Sequence, residues 1–265
     1  MKAKRKLSQN WLVDRNLARK LVEGLRAPPA SRVLEIGPGT GALTSLLLQS
    51  GFSVLAVEKD ERCVGELRAS FGSERGFQLL EGDFLDMELE ELDLPPDSFV
   101  ISNLPYSLTS PILFKLMDST QGFERLVLTV QKEYADRLCA PPACKSYGRL
   151  SVMVSFYGRV SRLFDLSPNA FIPRPKVKST AVCIEAFREE RLSRSDWHGL
   201  SRLVKHAFST RRKMLFNCLK RELSLSSADL ARVFEELGLS RKSRAEELLP
   251  RDFYSLSKYL QRYLS

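Results

Sequence analysis

A glycine-rich turn directly follows the first apolar run of the chain. Residues 33–36 lead into Gly37-Pro38-Gly39-Thr40-Gly41, and the residues after the turn are apolar with helical spacing. Glycine adopts left-handed backbone conformations and lets a ligand approach the main chain closely. When such a turn joins a strand to a helix, it lies at the carboxyl edge of a parallel sheet, and a ligand bound to the turn lies there too. The turn therefore predicts an α/β fold with a ligand site at that edge.

Strand and helix patterns alternate through about residue 185. Candidate strands are residues 33–36, 53–57, 77–80, 98–102, 125–130, 150–157 and 180–186. Helical segments are expected around residues 41–49, 60–70 and 109–118. The alternation predicts a mostly parallel sheet with helices on both faces. The last two strands have no obvious helix between them and predict an antiparallel pair at one edge.

From about residue 187 the apolar residues follow a helical period instead. Trp197, Leu200, Leu203 and Val204 form one stripe, on a helix expected from Trp197 to about Cys218. A domain boundary is therefore expected between residues 186 and 187. Residues 1–186 form the α/β domain with a basic N-terminal arm, and residues 187–265 form a small all-helical domain.

The net charge of +9 is unevenly distributed over the 265 residues. Residues 1–20 hold seven Lys or Arg and one Asp, and residues 187–265 hold 17 basic and 10 acidic residues. The segment between them has a net charge of −4. Two basic segments around an acidic body suit a polyanionic partner, since Lys and Arg displace the counterions of phosphates. The plainer alternative is a pair of solvated charged faces.

The five cysteines form no C-x-x-C pair, and the chain has only two histidines. No metal site is expected from this spacing, and reduced thiols suit a reducing compartment. The basic N-terminus lacks the apolar stretch of a signal peptide, and no run reaches the roughly 18 apolar residues of a membrane span. A cytoplasmic protein without a membrane partner is expected.

Acidic residues stand at two further strand ends. Glu58 lies 21 residues after Gly37, where a carboxylate can accept from ribose hydroxyls, and Asp83 can accept from an adenine amino group. The spacing of Gly37, Gly39 and Ala42 also fits a relaxed dinucleotide fingerprint, so an NAD enzyme is an alternative. Nothing around these strand ends resembles a hydride-transfer His or a Tyr-x-x-x-Lys motif, which disfavours it. The plainer interpretation of each acid is a helix cap or a solvated loop.

Asn103-Leu104-Pro105-Tyr106 follows the candidate strand at 98–102. The Asn103 side-chain oxygen and the Leu104 carbonyl can accept both hydrogens of a planar amino group, and Tyr106 can stack on its ring. Two acceptors localise the lone pair of an adenine amine, which is otherwise delocalised into the ring. The motif therefore indicates an amino-methyltransferase. The alternative is a strand-end turn in which Pro105 stops the strand and Tyr106 packs in the core.

Together these motifs identify a resemblance that covers essentially the whole chain. The matching stretches are residues 6–12, 33–44, 57–60, 81–86, 103–106, 131–138, 147–150, 171–179 and 208–213. They resemble the rRNA adenine N6,N6-dimethyltransferase family, specifically its bacterial small-subunit members. The resemblance implies a Rossmann-like class I methyltransferase with a mostly parallel seven-stranded sheet and a helical C-terminal domain. It also implies that the chain dimethylates N6 of two adjacent adenosines of 16S rRNA during small-subunit maturation.

The resemblance also assigns residues to roles. S-adenosylmethionine is expected to contact three groups of residues together with Asn103: Gln9, Asn10 and Leu12 of the arm; Gly37, Gly39 and Gly41 of the turn; and Glu58, Lys59, Asp83 and Phe84. The residues expected to act on the target adenine are Asn103, Leu104, Tyr106 and Phe171. Phe171 would stack opposite Tyr106, and its plainer role is a core plug. The family more often has Gly and Phe where this chain has Ser8 and Trp11.

The expected partner is the precursor of the small ribosomal subunit, bound by a monomer. Arg202, Lys205 and Arg212 share a face of the expected helix, with Arg211 and Lys213 beside it, and would contact RNA phosphates. Methylation of large-subunit rRNA, which confers antibiotic resistance, would use the same active-site residues. A third possibility is an assembly or transcription factor that keeps the fold only for binding. The chain keeps Glu58, Asp83, Asn103 and Tyr106, which disfavours that role.

Overall fold

The computed structural model describes residues 10–119, 122–188, 191–210 and 213–263. The chain divides into two compact units. The first comprises the described residues up to Ala135 together with Arg159–Ala186, and the second comprises Asp136–Gly158 together with the described residues from Phe187 onward. The assignment of residues 187–265 to RNA binding stays a prediction.

A seven-stranded sheet forms the centre of the first unit. Its strands are β2 (Arg32–Ile36), β3 (Ser53–Glu58), β4 (Phe77–Glu81), β5 (Ser98–Asn103), β6 (Phe123–Gln131), β7 (Gly158–Leu166) and β9 (Ser179–Ala186). They lie in the order β4-β3-β2-β5-β6-β9-β7. The first five of these strands are parallel to one another, and β9 is antiparallel to β6. This Rossmann-like sheet confirms the predicted fold class.

Three helices of the first unit begin near the predicted positions: α2 (Ala42–Gln49), α3 (Glu61–Phe71) and α4 (Thr109–Asp118). A further helix, α1 (Arg15–Gly24), was not predicted from the sequence. Val33, Val54 and Leu55 of the central strands have no exposed surface. Strands that are covered on both faces in this way read as continuous apolar runs, which is why the sequence locates them well.

The edge of the sheet differs from the prediction in one respect. The antiparallel pair was expected between residues 150–157 and 180–186, but the neighbour of β9 at this edge is β7. Thr180 donates from Oγ1 to Asp165 Oδ1 at 2.7 Å, and the Phe187 N–H donates to the Tyr157 carbonyl at 2.9 Å, so β7 and β9 run antiparallel. The strand predicted at 150–157 is wrong, because helix α6 (Arg149–Tyr157) occupies this segment and β7 follows it. Val152, Met153 and Val154 are all buried. Four consecutive buried residues, 151–154, obscure the apolar period that distinguishes a helix from a strand.

The second unit is helical. In addition to α6 it contains α7 (Arg194–Ala207), α8 (Leu215–Glu222), α9 (Ser227–Glu236) and α10 (Pro250–Tyr259). Helix α5 (Lys132–Leu138) spans the point at which the chain passes from the first unit to the second. The single helix predicted from Trp197 to Cys218 is wrong, since α7 ends at Ala207. Ser209 and Thr210 follow its end, and residues of these types favour turns over helix interiors because their hydroxyls bond to nearby groups.

Two short strands lie outside the main sheet. In β1 (Trp11–Leu12) and β8 (Phe171–Ile172), Trp11 pairs with Ile172, and Leu12 pairs with Phe171. Their antiparallel pairing joins residues of the N-terminal arm to the segment before β9. Two-residue strands carry no recognisable pattern, so the sequence does not predict this pair.

Candidate active site

A cavity opens at the carboxyl edge of β2, β3 and β5, within the first unit. Its lining includes these residues: Asn10, Trp11, Leu12, Glu35, Gly37, Gly39, Glu58, Lys59, Phe84, Asn103, Pro105, Leu108 and Ile112. The carboxyl ends of parallel strands are where open α/β sheets bind ligands. The structure therefore brings the arm, the glycine turn and the Asn-Leu-Pro-Tyr motif to one site.

The three glycines of the turn have different surroundings. Gly37, Gly39 and Gly41 all have positive φ angles, of 67°, 58° and 82°. A Cβ on Gly37 would meet no atom within 4 Å, whereas one on Gly39 would lie 3.0 Å from Trp11. A Cβ on Gly41 would lie 2.6 Å from Phe71, and Gly41 is not among the described residues that line the cavity. Gly37 thus leaves open space at its main chain, while Gly41 allows close packing of α2 on α3.

The carboxylate of Glu58 is held by three main-chain N–H groups. Oε2 accepts from Gly39 at 3.0 Å, and Oε1 accepts from Lys59 at 2.9 Å and from Asp60 at 2.8 Å. Glu58 is 6% exposed and lines the cavity. A carboxylate has about four acceptor positions. Glu58 therefore braces the glycine turn against the end of β3 and retains capacity for one further donor.

Asp83 pairs with Lys59 at the rim of the site. Its Oδ1 also accepts from the Leu85 N–H at 3.0 Å, which caps the short turn of helix at Phe84–Asp86. The hydrogen bond from Lys59, followed by that from Leu85, lowers the pKa of Asp83 below its usual range. Lys59 and Phe84 line the cavity, whereas Asp83 is not among its described lining residues. A contact of Asp83 with adenine stays a prediction.

Asn103 connects the motif after β5 to the arm. Its Nδ2 donates to the Asn10 carbonyl at 2.8 Å. A main-chain carbonyl can only accept a hydrogen bond, so the Asn103 amide must turn its nitrogen toward Asn10. The amide oxygen then points away from the Asn10 carbonyl. Within the described residues, Asn103 Oδ1 receives no hydrogen bond. The side chain lines the cavity and leaves its oxygen as an available acceptor.

Tyr106 and Leu104 are fixed by the surrounding fold. The Tyr106 hydroxyl and Ser179 Oγ, at the start of β9, are hydrogen-bonded at 2.7 Å. Burial raises the pKa of Tyr106. Leu104 as a whole is 2% exposed, so contact of its carbonyl with a substrate stays a prediction. Neither residue is among those described as lining the cavity.

Phe171 lies in the core of the first unit. It is 2% exposed and packs in a cluster that includes Leu12 and Ala170. In this arrangement Phe171 acts as a core plug, and stacking on a base stays a prediction that requires its ring to become accessible.

Glu35, which was not predicted as a site residue from the sequence, also lines the cavity. It is 1% exposed, Oε2 accepts from the Thr44 hydroxyl at 2.7 Å, and Oε1 has no hydrogen-bond partner in the described part of the chain. Burial, with the nearby Glu58 charge, raises the pKa of Glu35 to about 8. One sequence signal could have indicated Glu35: it is an acidic residue inside an otherwise apolar strand. Glutamate is rarely fully buried unless it is paired.

The predicted RNA-binding residues lie in the second unit. Arg202 and Lys205 are exposed on α7, three residues apart on one face, and Lys213 is exposed just before α8. Arg211 and Arg212, and Gln9 of the arm, lie outside the described residues.

The described residues contain neither a membrane-spanning helix nor a cluster of metal-ligating side chains. None of their helices is long and apolar enough to cross a membrane. No group of three or more His, Cys, Asp or Glu among them is placed to hold a metal ion.

Comparison with known proteins gives consistent results. A family model described as "Ribosomal RNA adenine dimethylase" matches residues 1–262. Two relatives are named Ribosomal RNA small subunit methyltransferase A. The protein of Thermosynechococcus vestitus is 42% identical to this chain over 98% of both chains. The protein of Geobacter sulfurreducens is 38% identical over 98% of this chain and 96% of the relative.

Solved structures match over nearly the whole chain as well. A dimethyladenosine transferase from Plasmodium falciparum has a TM-score of 0.80 at 25% identity, covering 94% of this chain and 96% of that one. The 23S rRNA methyltransferase ErmE has a TM-score of 0.69 at 23% identity, covering 95% and 99%, and supports the fold alone.

Proposed function

The chain belongs to the ribosomal RNA adenine dimethylase family, and we propose that it methylates N6 of two adjacent adenosines of 16S rRNA. The methyl donor in this proposal is S-adenosylmethionine, and the substrate is a precursor of the small ribosomal subunit. The chain is proposed to act as a cytoplasmic monomer.

The residues around the cavity fit this cofactor. Gly37 offers open main chain, Glu58 is oriented by three N–H donors, and Phe84 supplies an apolar surface beside them. A nucleoside with hydroxyls and a flat base needs these groups. When bound, the sulfonium supplies an activated methyl group. The protein supplies alignment and electrostatic complementarity.

The orientation of the Asn103 amide is the observation that carries the proposal. With Nδ2 engaged by Asn10, Oδ1 is left to accept a hydrogen from the target amine. The Leu104 carbonyl would accept the second hydrogen. Together they would localise the nitrogen lone pair and direct it at the methyl group. No strong base is needed, since the amine proton becomes acidic only as the new bond forms.

Small-subunit rRNA is the preferred substrate because the two relatives described above carry that name over almost their full length. Large-subunit rRNA is the second candidate, since ErmE shares the fold. A factor that only binds RNA would have no use for an amide that holds an acceptor toward the cavity.

Mass spectrometry of both rRNAs from cells that lack this protein tests the proposal. The expected result is loss of two adjacent dimethyladenosines from 16S rRNA, restored by the wild-type gene. Loss of a modification from 23S rRNA instead would favour the second candidate. Unchanged 16S and 23S rRNA would contradict both.

A further inference from the structure

The segment between β8 and β9 is exposed and strongly basic. It reads Pro173-Arg174-Pro175-Lys176-Val177-Lys178, and residues 173–178 are called the basic loop below. Arg174, Lys176 and Lys178 are exposed, and none of them forms an ion pair or side-chain hydrogen bond with another described residue. The two prolines restrict φ and lack N–H groups, which limits the conformations open to this segment. Three cations within five residues are therefore left unneutralised.

The basic loop stands at the edge of the sheet that carries the active site. Ser179, the next residue, pairs with Gln131 at the carboxyl end of β6 and hydrogen-bonds to Tyr106. The Lys178 carbonyl accepts from the Lys132 N–H at 3.0 Å. At its other end, Ile172 pairs with Trp11, which lines the cavity. Both ends of the loop are thus anchored to residues of the site.

The charge of the loop contrasts with that of its surroundings. Residues 21–186, in which it lies, have a net charge of −4. A local positive segment on an acidic body attracts a polyanion to one place and not to the whole surface. Ile172 and Val177, which are 58% and 43% exposed, lie among the cations and offer apolar contacts for sugars or bases. This combination suits single-stranded RNA better than an acidic protein.

We propose that the basic loop binds the phosphates that flank the target adenine and holds the RNA strand at the mouth of the cavity. This inference rests on the proposed function. An adenine whose amine must reach Asn103 has to leave its stack, and its two flanking phosphates then stay outside the cavity. Cations at the rim would hold those phosphates while the base is inside. The loop is a second RNA contact, separate from Arg202 and Lys205 on α7.

The test compares two double variants of the full chain. Arg174→Ala/Lys176→Ala removes two loop charges, both from exposed side chains, so folding should be retained. Arg75→Ala/Arg159→Ala is the matched control, since both arginines are exposed and lie near the starts of β4 and β7, at the opposite edge of the sheet. Binding to a protein-free 16S rRNA transcript and to unmethylated small subunits is measured as a function of salt.

The loop variant should bind the transcript about tenfold more weakly at low salt. Its log–log salt slope should be shallower by about 1.4, because each phosphate of a single strand that the loop no longer binds reduces the slope by about 0.7. Cofactor affinity by calorimetry should equal that of the wild type, and the control should match the wild type throughout.

Equal affinities and salt slopes for the loop variant and the control would overturn the inference. A defect seen with small subunits but not with the transcript would overturn it as well, because the loop would then contact a ribosomal protein. Failure of the proposed function can be distinguished from failure of this inference. If the proposed function were wrong, the wild-type protein itself would leave the small-subunit RNA unmethylated.

Discussion

The Asn103 amide nitrogen donates to the main-chain carbonyl of Asn10, 2.8 Å away and 93 positions earlier in the chain. Asn10 leads into β1, which pairs with β8 ahead of the basic loop. The proposed amine acceptor, the arm and the loop are therefore linked by main-chain and side-chain hydrogen bonds. Displacement of residues 10–12 would release the amide and lose the orientation of its oxygen.

Glu58→Ala should weaken S-adenosylmethionine binding by about ten- to a hundredfold, equivalent to about 1.5–3 kcal/mol for hydrogen bonds to a charged acceptor. It should also lower the thermal midpoint, because the N–H groups of Gly39, Lys59 and Asp60 lose their acceptor. Calorimetry at a temperature where both proteins are folded separates the two effects. Equal cofactor affinity of the two proteins would show that Glu58 does not contact the cofactor and only stabilises the glycine turn.

Glu35 makes the stability of the cofactor-free protein pH-dependent. Its pKa is about 8 in the folded chain against an ordinary value of 4.5, so the folded state holds a proton that the unfolded state releases. The stabilisation is complete below pH 4.5 and is lost as the pH rises through 8. Glu35→Gln, which imitates the protonated acid, should show a smaller fall in thermal midpoint over this window. The exposed Glu74→Gln is the control and should follow the wild type, whereas identical profiles for all three would contradict the account of Glu35.

Tyr106 is expected to act through its ring. Tyr106→Ala should slow methylation more than Tyr106→Phe, because a base stack contributes about 1–3 kcal/mol. Tyr106→Phe and Ser179→Ala each break the same hydrogen bond and should lower stability similarly, by about 1 kcal/mol. Single-turnover rates and thermal unfolding of the three variants test this. Equal rates for Tyr106→Ala and Tyr106→Phe would argue against stacking.

Arg202→Ala/Lys205→Ala on α7 should weaken RNA binding and make its salt slope shallower, without changing cofactor affinity. Arg232→Ala/Lys242→Ala removes the same charge from exposed positions of the second unit and serves as the control. Salt-dependent binding to the 16S transcript is the measurement. Equal slopes in both variants would move the RNA-binding surface away from α7.

The buried strands are the most predictable part of the fold. Val33 and Val54 belong to short apolar runs that end at a glycine or an acid, and a parallel sheet produces this pattern. The segment at 150–157 is misleading because its consecutive buried residues fit a strand and a buried helix equally well. The end of α7 cannot be located from the sequence, because the helical spacing of the basic residues at 202–213 continues past the residue at which the helix ends.

The sequence predicts which strand ends form the site, but not the contacts between their side chains. Glu58 and Asn103 follow predicted strands, so their convergence on one edge follows from the topology. The Asn103–Asn10 hydrogen bond depends on tertiary packing across 93 residues and leaves no local signal. The burial that raises the pKa of Glu35 likewise depends on what covers β2.

The central claim is that Asn103 Oδ1 accepts a hydrogen of the target amine during methyl transfer. Single-turnover methyl incorporation into unmethylated small subunits tests it most directly, with thermal unfolding and RNA binding as checks on each variant. Asn103→Ala should lower the rate about a hundred- to a thousandfold, the effect of losing one preorganised group. Asn103→Asp keeps an oxygen but loses the donor to Asn10, and should retain more activity than Asn103→Ala. A folded, RNA-binding Asn103→Ala protein that methylates at the wild-type rate would contradict the claim.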